Sequence, residues 1–191
     1  MSEEEPKSRI PLLERDQVPT ELAGLYDVLL QQRGVVPNMF KTVANTPALA
    51  LGFAALLKPL LSDGALPGWY KELVATRMSL LQGSNYAVTA HSLSAKQKGA
   101  TEEQIVAVKA DFERGPFTDA EKLGLRCGDR LHRSASQIDD AFYANLKSTY
   151  SDAQIVELIA TASVFEFFPR FVDALRIPVT PAPKNNPAGQ V

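Results

Sequence analysis

The chain has 191 residues, 45% of them hydrophobic, and a formal net charge of −2. That is enough sequence to bury a real core and too little positive charge for a nucleic-acid footprint. A single cysteine excludes an intrachain disulfide, and two histidines are few for a histidine-rich metal site. The apolar stretches fall short of a membrane span, and MSEEEPKSR lacks the apolar core of a secretory leader. The expectation is a cytoplasmic protein with no nucleic-acid, membrane or metal partner.

In chain order, residues 1–19 are rich in charge and read as a flexible arm. Leu22, Leu25, Tyr26, Leu29 and Leu30 then form an apolar stripe at helical spacing, closed by Gly34. In "TPAL", Thr46 is placed to cap a helix with Pro47 as its first residue. Leu49, Phe53, Leu56, Leu57 and Leu60 continue it, and Gly64 follows. The spacing predicts a helix over Pro67–Gln82 stopped by Gly83, and a second over Ser84–Lys98 stopped by Gly99. "TEEQ", "TDAE" and "SDAQ" are capping boxes starting at Thr101, Thr118 and Ser151. Cys127 lies on the stripe of Ala120, Leu123, Gly124 and Leu131, as a small core residue. His132, near a helix end, reads as structural. Ile155, Leu158, Ile159, Ala162 and Phe165 form the last stripe, with Pro169 expected to end or kink it. Residues 178–191 read as a second flexible arm. The result is an all-α domain over residues 20–177 with about eight helices and no strand-period run.

The central helix pair carries the chemistry. Ser84, Ala87 and His91 fall at steps of three and four, so they share one helix face. On the preceding helix Glu72 lies three residues after Trp69 and four before Thr76, at the edge of the apolar face. Desolvation there is expected to raise the carboxylate's pKa and suit it to proton transfer. Tyr86 and Asn85 are further polar groups near the helix start, and Arg77 is available to pair with a carboxylate of the protein or of a ligand.

The stretch "KELVATRMSLLQGSNYAVTAHSLSAKQKGATEEQI" resembles the core of the carboxymuconolactone decarboxylase and alkylhydroperoxidase D (AhpD-like) superfamily. "RIPLLERDQVPTELAGLYDVLLQQRGVVPNMFKTVANTPAL" and "FTDAEKLGLRCGDRL" resemble its peroxidase-related branch, and so does "YSDAQIVELIATASVFEFFPRFVDALRIP". In hydroperoxidases of that branch a glutamate precedes a C-x-x-C by twelve residues, and a histidine follows the second cysteine by four. Laid on this chain, Glu72 and His91 take the proton-handling positions, while Ser84 and Ala87 stand where the cysteines would be.

That departure argues against a dithiol peroxidase cycle, which needs a thiolate nucleophile and a resolving thiol. The resemblance implies instead an AhpD-like helical bundle and a cofactor-independent lyase or isomerase acting on a small organic acid or lactone. Glu72, His91 and Tyr86 would be catalytic, with Ser84, Asn85, Ala87, Arg77 and Trp69 lining the substrate site. A closed homotrimer or homohexamer is also implied. The alternative is a catalytically degenerate relative with a binding or interaction role.

Overall fold

Caps and turn residues set the helix ends in the computed structural model, which describes residues 7–181. Among these residues the chain is helical without strands. The helices are α1 (Thr20–Arg33), α2 (Asn38–Val43), α3 (Pro47–Leu61), α4 (Gly68–Leu81) and α5 (Asn85–Gln97), followed by α6 (Glu102–Lys109), α7 (Asp119–Arg133), α8 (Asp140–Thr149) and α9 (Asp152–Ala174). Gly34, Gly83 and Gly99 adopt positive φ at 68°, 74° and 109°, a region that glycine enters without steric cost. The boxes at Thr101 and Thr118 are reciprocal, as is the Ser151–Gln154 pair.

Helices α2 and α8 are not among the elements predicted from the pattern. Six residues are too few for α2 to show a period. Helix α8 is started by the Asp139 carboxylate, which accepts from Phe142 N–H at 2.8 Å. Of the end or kink expected at Pro169, the end is not found: α9 runs through it to Ala174. Proline removes one N–H donor from a 23-residue helix, while Phe165, Phe168 and Val172 around it are buried. Helix α3 is less one-sided than its stripe implied, since Leu49 and Leu56 are exposed while Phe53 and Leu60 are buried.

The chain divides into two compact units. One comprises the described parts of Met1–Leu57 and Val172–Val191, and the other is Lys58–Phe171. In the first, Arg9 N–H donates to Leu175 O at 2.9 Å and Leu13 N–H to Lys41 O at 3.0 Å. The Tyr26 hydroxyl donates to Leu13 O, and the Asn38 side-chain amide to Pro178 O. These bonds tie down parts of both segments read as arms; residues 1–6 and 182–191 lie outside the described residues.

In the second unit α4 is the central element. It packs against α5, α6 and α7, and Gly68 through Thr76 are buried apart from Trp69. Even Lys71 is fully enclosed, its ammonium 3.0 Å from Glu157, whose carboxylate also accepts from the backbone N–H groups of Ala65 and Leu66. The α4–α7 contact needs glycine at 124. A Cβ there would meet the Tyr70 hydroxyl well inside contact distance and lie 2.9 Å from that of Tyr150. Both hydroxyls are fixed by donation to α7 carbonyls, at Glu121 and Ala120. Gly124→Ala is expected to cost about 1–3 kcal/mol despite alanine's better helix propensity. A thermal melt should fall by roughly 2–12 °C. Gly52→Ala, with open space around its Cβ, should instead stabilise by up to about 1 kcal/mol. An unchanged melting point for Gly124→Ala would show that the two tyrosines yield freely.

Candidate functional site

Helices α4 and α5 meet at a left-handed Gly83 and the Ser84 N-cap, which together turn the chain back on itself. The Ser84 oxygen accepts from Ala87 N–H at 3.5 Å, and both residues are buried. The hydroxyl that stands where the resembled hydroperoxidases carry their first cysteine serves as the helix cap.

Within this pair Glu72 of α4 is wholly buried and receives three donors, two from one face of α5 and one from its C-cap residue. His91 Nδ1 lies 2.7 Å from Oε2, the Ser94 hydroxyl donates to Oε1 at 2.7 Å, and the Lys98 ammonium donates to the same oxygen at 2.5 Å. Lys98 also donates to Leu61 O at 2.7 Å, linking the network to the end of α3. The His91 ring meets Phe165 of α9 edge-on, with centroids 4.3 Å apart.

This electrostatic setting corrects the expected direction of the Glu72 shift. Burial pushes its pKa up, but the His91 hydrogen bond and the charges of His91 and Lys98 outweigh that cost and lower it to about 2. Glu72 is thus an ionised hydrogen-bond acceptor through the ordinary pH range. An ionised carboxylate only accepts, so His91 Nδ1 carries a proton toward it and Nε2 is the nitrogen left to exchange one. The side chain of His91 is 16% exposed, against none for Glu72.

The other expected site residues separate. Tyr86 is buried near the start of α5, whereas Asn85 is exposed. Trp69 is half-buried and packs edge-on against Tyr70, and the polar partners of Glu72 come from α5 and its C-cap residue. Arg77 forms a two-pronged ion pair with Asp129 of α7, both bonds at 2.8 Å, and lines a cavity of about 340 Å³ away from Glu72 and His91. Cys127 is buried and its thiol is pushed up to about 11 by desolvation, consistent with a core residue. His132 pairs with Glu166 at 2.7 Å. Among the described residues no group of three or more His, Cys, Asp or Glu side chains is arranged to hold a metal.

Ser94 and Lys98 are not among the site residues expected from the sequence. The signal was present: the series Ser84, Ala87, His91 continues at the same steps to Ser94 and Lys98.

Residues 47–116, which contain Glu72, Ser84, Ala87 and His91, match the model of the Carboxymuconolactone decarboxylase family. Over that segment the chain is similar to the carboxymuconolactone decarboxylase family. Uncharacterized protein YnjA of Escherichia coli (strain K12) is 24% identical over 176 residues, covering 91% of each chain. An uncharacterized peroxidase-related protein from Silicibacter sp. TM1040 superposes with a TM-score of 0.85 at 19% identity, covering 94% of this chain and 95% of that one. A cysteine-to-alanine variant of the debrominase Bmp8, in complex with 2,3,4-tribromopyrrole, gives a TM-score of 0.81 at 22% identity, with 94% and 96% covered. These likenesses show the fold: the chain has the AhpD-like all-α architecture. No helix among the described residues is long and apolar enough to cross a membrane.

Proposed function

We propose that this protein is a cofactor-independent acid/base enzyme, a lyase or isomerase acting on a small organic acid or lactone. The observation that carries the reading is the pairing of a fully buried, ionised Glu72 with His91 at 2.7 Å. Glu72 orients the imidazole and stabilises it when it charges, and His91 exchanges the proton at Nε2. Tyr86 is a donor for the carbanion or enolate that such chemistry creates. Ser84 and Asn85 flank the helix start, and small Ala87 leaves room for the substrate. Trp69 contributes an apolar wall, while Arg77, committed to Asp129, is the weakest of the proposed substrate contacts. A fold neighbour crystallised with 2,3,4-tribromopyrrole supports small-molecule recognition on this scaffold.

The second reading, a degenerate relative with a binding role, is favoured by the saturation of Glu72 with three donors, as in a structural hub. Self-association as a homotrimer or homohexamer in the cytoplasm also belongs to the proposal; Phe167, half exposed on α9, is its surface correlate.

A thermal-shift screen of small carboxylic acids and lactones tests the leading reading. Stabilisation of the wild type that is lost in His91→Ala supports a substrate pocket at the pair. Hits that stabilise both proteins equally place the ligand elsewhere and favour the second reading. In the same preparations thiol-dependent peroxide reduction should be absent, because Ser84 and Ala87 offer no thiolate. A robust rate abolished by Cys127→Ser would overturn that expectation.

A further inference from the structure

Away from Glu72 and His91, the second unit contains a half-open cavity of about 340 Å³ formed by α7, the end of α4 and the turn after α6. Four of its lining residues are arginines, at 77, 126, 130 and 133, and three are acids, at 111, 113 and 129. Arg126, Arg130 and Arg133 fall at steps of four and three along α7, so they form one ridge. Cations are favoured in the last turn of a helix, and that alone accounts for basic residues there. It does not account for how their charges are matched.

Two of the arginines are neutralised inside the cavity. Arg77 grips Asp129 with two bonds at 2.8 Å, and Arg126 grips Glu113 with two bonds at 2.6 Å. Arg130 lies over the Phe142 ring and donates to Gln137 O, with Asp139 3.9 Å away outside the cavity. Asp111 faces Arg114, also outside, at 3.4 Å, and accepts from Glu113 N–H. Arg133 is different. Among the described residues its guanidinium has no ion-pair or hydrogen-bond partner. The cavity therefore has one positive charge in excess and a planar fork of donors with nothing to bind.

We propose that this cavity is a binding site for a small multivalent oxyanion, a di- or tricarboxylate or a phosphate, held by Arg133 with Arg130 beside it. The Arg77–Asp129 pair stiffens its floor. Paired Arg126 and Glu113 fix its rim, and the carboxylates on Asp129 and Glu113 are already neutralised, so they do not repel the ligand. The volume suits a ligand of that size. The site is separate from the proposed acid/base pair and does not depend on it.

The test is titration of the full chain with citrate and with inorganic phosphate, read by calorimetry and thermal shift, with ionic strength held constant by sodium chloride. Saturable binding of either anion is expected, weakened at least tenfold in Arg133→Gln and abolished in Arg133→Glu. Arg133 is exposed at a helix end, so both variants should fold; their unliganded melting points check this. Citrate alone would assign the site to carboxylates, phosphate alone to phosphates. Binding that persists unchanged in Arg133→Glu overturns the proposal. So does stabilisation reproduced by chloride at equal ionic strength. Binding must also survive in His91→Ala, and its loss there would move the anion to the other site and refute this one.

Discussion

With a turned-over substrate in hand, His91→Ala is expected to lower kcat by about 100- to 10,000-fold, the usual cost of removing an essential acid/base group. The loss should fall mainly on kcat, because the imidazole acts on the transition state rather than on ground-state binding. Only one partner of the pair is free to change its proton count. Glu72 is held ionised by three donors, so in the proposed reaction the moving proton would be that of His91 Nε2. Glu72→Gln should lower kcat as well, because an amide neither fixes the Nδ1 proton as firmly nor stabilises an imidazolium. A merely structural pair predicts something else: variants that melt earlier but turn over at the wild-type rate. Near-normal kcat in folded His91→Ala would end the catalytic reading.

The second large effect is on stability. Glu72→Ala is expected to cost about 3 kcal/mol at neutral pH, because it leaves the Ser94 hydroxyl and the His91 Nδ1 donor without their acceptor and removes one of the two acceptors of Lys98. The melting temperature should fall by roughly 6–12 °C. Its pH dependence has a definite direction. The carboxylate titrates near 4.5 when unperturbed and near 2 in the folded protein. Its contribution is therefore complete above about 4.5 and drains away as the pH falls toward 2. Glu157, also lowered because hydrogen bonds from Leu66, Ala65 and Lys71 overcome its burial, loses its contribution in the same direction. The wild-type acid limb thus mixes both groups, and only the difference from Glu72→Gln isolates Glu72. Denaturant melts between pH 2 and 7 should converge at the acid end for wild type and Glu72→Gln. Parallel curves with a constant gap would mean that Glu72 is not ionised in the folded state.

The α4–α5 joint was legible in the sequence because local chemistry determines it. A glycine that must turn left-handed, followed by a serine that caps the next helix, leaves few alternatives. The pairing of Glu72 with His91 was legible because two helices joined so tightly can bring their inner faces together. Lys98 and the direction of the Glu72 shift were not read, for a physical reason. Spacing reports which residues share a face, while the balance between desolvation and donors depends on distances across two helices. Trp69 illustrates the point: it adjoins Glu72 in helical register, yet the polar partners that set its charge come from α5 and its C-cap residue. The arginine ridge on α7 shows helical spacing too, but its cavity exists only once the α4 and α6 ends are packed against it.

The ionic network at Glu72 has a consequence for the order in which the molecule assembles. Its three bonds join residues 19, 22 and 26 positions apart, all inside one helical hairpin. Closing loops of that length costs little chain entropy, since the cost grows only with the logarithm of loop length. Such short-range pairings favour rapid folding over pairings between distant parts of a chain. The hairpin can thus align His91 against its carboxylate before Phe165, more than seventy positions along, arrives to cover the ring.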